Sequence, residues 1–206
     1  MAWRQIGTNP ARDLIVGGDP ATGRPRVFAT NPTSGDIYRY TGSGTDWERI
    51  GDPGAMFAST GTHLFRLNPD RRAVMRWTGG ANWERVGGPA ASIYAGPAGL
   101  IGTNPDTGDV YRYTGQGENW EKIGGPGATF AVGTRIAGLS PNRQAVWLWS
   151  GRGEHWDPVG GAARSIYAGT GGLYKTDPAS GDISRWNGDG RPDNWGRIGG
   201  PGHAFA

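Results

Sequence analysis

The chain of 206 residues carries 39 Gly and 15 Pro beside 10 Trp, 7 Tyr and 5 Phe. A disordered chain lacks so many aromatics, and no window of 15 residues free of both Gly and Pro exists to make a long helix, so an all-β chain of short strands and tight turns is expected. Its 21 basic and 18 acidic residues, net +3, are interspersed rather than clustered; nucleic-acid binding, thiolate metal sites, disulfides and an apolar membrane span are excluded.

The N-terminus, Met1-Ala2-Trp3-Arg4-Gln5-Ile6-Gly7, does not read as a signal peptide. Localisation is therefore left open; an extracellular or virion-surface place would require a removed leader or another exit route. Trp3–Ile6 reads as a strand of the outermost type. After it, an insertion around Asp19–Arg26 lengthens the first repeat.

The repeats set the architecture. Trp47, Trp83, Trp120, Trp156 and Trp195 are 36, 37, 36 and 39 residues apart, and each opens a phrase such as Trp47-Glu48-Arg49-Ile50-Gly51. In the third unit four strands are predicted at Ile93–Ala95, Leu100–Thr103, Val110–Thr114 and Trp120–Ile123, with Gly- and Pro-bearing turns between them. Four strands about every 37 residues make the blade of a β-propeller. The expectation is one domain over 1–206, with blades at about 12–50, 51–86, 87–123, 124–159 and 160–198. The outer strand 3–6 and an inner strand at 203–206 remain for closure. Five blades with spare ends, or six with two middle strands of one blade missing, both stay open; five is preferred.

A second period of 73 residues relates Gly35-Asp36-Ile37-Tyr38-Arg39-Tyr40 to Gly108–Tyr113 and Gly181–Trp186, so two blade types alternate. A column of Tyr40, Trp77, Tyr113, Trp149 and Trp186 ends the third strands. The polar residue before each repeating Trp (Asp46, Asn82, Asn119, His155 and Asn194) lies on the following loop. Both sets are candidates for ligand binding, the rings as stacking platforms and the loop residues as hydrogen-bonding groups for sugar hydroxyls. The repeating Trp47, Trp83, Trp120, Trp156 and Trp195 are read as structural wedges between blades. Arg39, Arg76 and Arg112 stand where they can pair across a hairpin with Glu48, Glu84 and Glu121.

Catalysis finds little footing. His63, His155 and His203 are the only imidazoles, without metal-ligand spacing, and there is no thiol and no serine elbow. Glycoside hydrolysis by carboxylates at a propeller mouth is the one enzymatic alternative. It is set aside because no blade is unlike the others. The Asn104–Asp109 turn lacks the length and closing carboxylate of an EF-hand, so no metal and no cofactor are expected.

The phrases Gly-Asp-(Ile/Val)-Tyr-Arg-Tyr-Thr-Gly and Trp-Glu-(Arg/Lys)-Ile-Gly-Gly, recurring in order through the whole chain, resemble the tectonin repeats of lectin-like β-propellers. The resemblance implies multivalent, non-catalytic binding of glycans, including bacterial-surface ones. The alternative is a structural or adhesion propeller, such as a component of a phage virion or secretion apparatus, that docks another protein or its own copy. Only the ligand separates these two, because the fold serves both.

Overall fold

The computed structural model describes residues 4–20, 22–188 and 191–202. Among them are twenty strands and no helix. The first sheet holds β1 (Leu14–Gly18), β2 (Pro25–Thr30), β3 (Ile37–Tyr40) and β4 (Trp47–Gly51). The second holds β5 (Met56–Ser59), β6 (Leu64–Leu67), β7 (Val74–Gly79) and β8 (Asn82–Gly87), and the third β9 (Ser92–Gly96), β10 (Gly99–Thr103), β11 (Val110–Tyr113) and β12 (Trp120–Gly124). In the fourth are β13 (Thr129–Val132), β14 (Ile136–Leu139), β15 (Val146–Trp149) and β16 (Trp156–Gly160). The fifth is built of β17 (Ser165–Gly169), β18 (Gly172–Thr176), β19 (Ile183–Trp186) and β20 (Trp195–Gly199). Every sheet is a four-stranded antiparallel meander in sequence order, which is the blade of a β-propeller. The predicted strands of the third blade agree to within a residue at each end.

Local chemistry explains the repeats. In the 73-residue turns Asn31, Asn104 and Asp177 each accept two backbone N–H groups at 2.7–3.0 Å through the side-chain oxygen. The glycine that follows takes a φ of 74–76° at Gly35, Gly108 and Gly181, a left-handed angle at which a side chain is strained. In the alternate blades Arg71 and Arg143 adopt the left-handed region instead, and their carbonyls accept the N–H of Ala90 and Ala163. The alternation of blade types is thus an alternation of turns. Each third strand also breaks register after its first residue, as between Ile37 and Tyr38. Such bulges raise the twist of the sheet.

By its internal contacts the chain forms two compact units, residues 1–93 with 115–119, and 94–114 with 120–206. In the first unit Phe28, Ile37 and Ile50 of the first sheet are packed with Leu64 and Trp77 of the second. In the second unit Ile101, Val110 and Ile123 of the third sheet meet Phe130, Ile136 and Trp149 of the fourth. The fourth sheet's Val146, Leu148 and Val159 meet Ile166, Leu173 and Trp186 of the fifth in the same way. In these three pairs one sheet offers an aliphatic seat, and the sheet that follows presents aromatic and aliphatic side chains to it.

The expected terminal strands fare differently. Arg4–Ile6 carry no strand, and Trp3 and the expected strand at 203–206 lie outside the described residues.

Candidate functional site

Three of the repeating Trp join neighbouring blades. Trp83 Nε1 donates to the carbonyl of Ile50 at 2.8 Å, Trp156 to Ile123 at 2.6 Å, and Trp195 to Val159 at 2.7 Å. The glycine after each acceptor is required by the same contact. A Cβ on Gly51, Gly124 or Gly160 would stand 2.6–2.7 Å from the incoming indole nitrogen. The phrase Trp-x-x-Ile-Gly is thus half of one joint and half of the next. All five of these Trp are half-buried.

Four of the five third-strand aromatics are buried. Trp77, Tyr113, Trp149 and Trp186 are buried and present no ring face to a ligand, which corrects the sugar-stacking reading for these four. Trp77 and Trp149 donate to the carbonyls of Gly80 and Gly153 at 2.8 Å, fastening the next turn. Tyr40 is half-buried, donates to Gly44 at 3.0 Å and leans on Trp47 with ring centroids 5.4 Å apart. Arg39 and Arg112 stand 5.7 Å above the Trp77 and Trp149 rings while pairing with Glu48 (2.6 Å) and Glu121 (3.0 Å). Arg76 pairs with Glu84 as well.

The loop residues Asp46, Asn82, Asn119 and His155 are exposed and Asn194 is half-buried. Backbone carbonyls of Asp46, His155 and Asn194 accept the N–H of Thr41, Ser150 and Asn187 at 3.0–3.1 Å, and that of Asn82 accepts from the Thr78 hydroxyl at 3.2 Å. Asn119 N–H donates to Gln116 at 3.1 Å. Asn194 Oδ1 accepts from Asn187, and His155 Nε2 is 3.2 Å from Asp157. These groups close the outer hairpins, one per blade.

The feature the sequence reading missed is a face of the first blade. Leu14, Phe57, Phe130 and Ile166 occupy the same register, opposite Ala29, Arg66, Gly138 and Lys175. Phe130 and Ile166 are 6% exposed, whereas Leu14 is 70% exposed. Val16, two residues on and on the same face, is also 70% exposed. Beside them opens a groove of about 540 Å³, with Leu14, Val27, Ala29, Tyr38 and Trp47 among its apolar walls. Thr8, Asn9, Thr30, Asn31 and Thr45 give it a polar margin. The Trp47 joint is nevertheless made, because Trp47 Nε1 donates to Ile6 at 2.7 Å and Gly7 lies against its indole. Ile6 and Gly7 therefore take the place of a preceding blade's fourth strand at this joint. Below the groove the insertion is fixed by Asp19, a buried carboxylate that pairs with Arg39 at 3.0 Å and Arg26 at 3.3 Å.

No family model and no curated protein sequence matches the chain. Solved structures do. YCF48 from Cyanidioschyzon merolae superposes with a TM-score of 0.58 at 15% identity, over 97% of this chain and 75% of that one. A structure of YCF48 bound to D1 peptide gives a TM-score of 0.62 at 14% identity, over 95% and 69%. At this identity the likeness shows the fold, a β-propeller, here with five four-stranded blades.

Proposed function

We propose that this propeller is a non-catalytic docking protein that seats an apolar polypeptide segment of a partner on the open face of its first blade. The observation that carries the reading is the exposure of Leu14 and Val16 on a face whose counterparts Phe130 and Ile166 are buried under the sheet before them. What covers that face in the later blades is itself polypeptide in β conformation with aliphatic side chains, so the complementary occupant is the same material. Covering each of the two side chains is worth roughly 1.5–3 kcal/mol before the cost of ordering the partner. The peptide bound in one of the similar structures supports the class of partner, a protein segment.

Glycan binding, implied by the tectonin resemblance, loses four of its five proposed ring platforms to the core. The remaining imidazoles are engaged locally: His63 Nδ1 lies 3.0 Å from the Thr62 hydroxyl and His155 lies beside Asp157.

Selection of displayed random peptides against the intact chain tests it, with a glycan array run on the same sample. Enriched peptides should carry alternating apolar residues and should lose binding to a Leu14→Asp/Val16→Asp double variant that keeps the wild-type melting temperature. Peptides that bind the double variant equally well, or a glycan hit with no peptide enrichment, would contradict the reading.

A further inference from the structure

We infer that the fourth blade carries a receptor pocket for the side chain of an arginine on a partner polypeptide, at a position that two sister blades fill with cations of their own. The starting point is one register position on the second strand of each blade. In the second blade it is Arg66, opposite Phe57 on one side and Met75 on the other. The Arg66 guanidinium lies 4.9 Å from the centroid of the Trp83 ring, and its Nη1 donates to the carbonyl of Asp52 at 3.1 Å. In the fifth blade the position is Lys175, whose ammonium lies 4.8 Å from the Trp195 ring. Two of the half-buried joint Trp are thus capped by an internal cation, a contact that the quadrupole of an indole face favours.

In the fourth blade the same position is Gly138, opposite Phe130 and Trp147. Phe130 leans on the joint Trp156 with ring centroids 6.1 Å apart, as Phe57 leans on Trp83 at 6.4 Å in the second blade, but Gly138 places no cation beside the indole. A cavity of about 170 Å³ takes the place of the cation, walled by Trp156, Trp147, Phe130, Gly138 and the linker Gly125-Pro126-Gly127. Gly125 stands where the second blade has Asp52, whose peptide carbonyl holds Arg66. Trp147, 36% exposed, replaces Met75 and adds a second indole to the wall. The pocket therefore keeps the aromatic face and the linker, gains a ring, and lacks only the cation.

The occupant follows from the plug. A planar guanidinium can stack on Trp156 and donate to a linker carbonyl at once, as Arg66 does against Trp83 and Asp52. A compact ammonium offers no plane to stack. No carboxylate lines the pocket, so selectivity rests on the rings and the peptide oxygen rather than on an ion pair. The pocket lies wholly within the second unit, and it stands or falls independently of the docking face on the first blade.

The test is a titration of the intact chain with N-acetyl-arginine methylamide and with the uncharged isostere N-acetyl-citrulline methylamide, read by the indole N–H resonances of Trp156 and Trp147. The arginine compound should shift both resonances saturably, with the citrulline compound at least about tenfold weaker. Gly138→Arg, which supplies the plug in cis, should abolish the response; its Cβ meets Phe130 at 3.1 Å, so the melting temperature should fall modestly while the chain stays folded. Should that variant not fold, Trp147→Ala removes an exposed wall and should weaken the arginine response while the chain stays folded. Equal response to citrulline, an undiminished response in a folded Gly138→Arg or Trp147→Ala chain, or stronger binding of the equivalent lysine or trimethyl-lysine compound would overturn the inference.

Discussion

The first and fourth blades are built on the same phrase yet present opposite surfaces. In the fourth, Phe130 is packed on Ile101, Val110 and Ile123 and is 6% exposed. In the first, Leu14 at the matching register is 70% exposed, and among the described residues Ile6 and Gly7 stand in for what a preceding blade supplies. The difference shows that a blade's inner strand is half of an interface, and its burial is decided by the neighbour rather than by its own residues. A repeat protein is close to a sum of units and their joints. The exposed face of the first blade is the one on which the proposed docking rests.

Truncation should separate the two positions most strongly. Phe130→Ala is expected to cost about 3–5 kcal/mol, as removal of a buried aromatic does, while Leu14→Ala stays within about 0.5 kcal/mol. Urea unfolding of both variants decides this, and equal losses would mean that Leu14 is covered. Asp19→Ala should be nearly as costly as the first, about 3 kcal/mol, because it leaves Arg26 and Arg39 facing an emptied, buried site. Retained stability there would show that the insertion does not brace the first blade.

The joints give a graded series. A Cβ at Gly124 would lie 2.6 Å from Trp156 Nε1, one at Gly7 would lie 3.3 Å from Trp47 Nε1, and one at Gly199 would meet, among the described residues, Ile183 at 3.4 Å. Gly124→Ala should therefore cost about 1–3 kcal/mol, Gly7→Ala less, and Gly199→Ala close to nothing. A flat series would disprove the joint as the reason for the glycine.

The smallest effect concerns pH. Burial holds the His63 imidazole below its ordinary pKa, with a further push from Arg76. The unfolded chain then binds the proton more readily, so stability should decline as pH falls through the ordinary histidine range. The decline should be slight, since His63 is only half-buried, and it should vanish in His63→Gln. Persistence of the same slope in that variant would assign it to the carboxylates, of which Asp13, Asp36, Asp177 and Asp182 have lowered pKa values and lose their contribution only at more acid pH.

Much of the fold was legible because its joint is written twice in every repeat, once as Trp and once as the glycine that receives it. Four strands per repeat and the Arg–Glu cross-strand pairs followed from spacing alone. The sites were harder to read. Leu14-Ile15-Val16 has the same alternation whether or not a sheet covers it, so exposure there leaves no mark in composition. Arg66 and Gly138 were hidden as partners because the loop before β14 is one residue shorter than that before β6, so this register position recurs after 72 residues rather than 73. The buried Trp77, Tyr113, Trp149 and Trp186 misled for a related reason. A ring at a strand end reads the same facing solvent or the blade before it.

The most direct measurement follows the methyl resonances of Leu14, Val16 and Val27 while a selected apolar peptide is added to the intact chain. Docking on the first blade predicts that these three methyls shift together and saturate with the binding isotherm, while the methyls of the buried Leu139 and Val146 hold still. Binding that leaves the three unmoved, or shifts confined to the outer hairpins around Asp46, Asn82 and Asn119, would contradict the account.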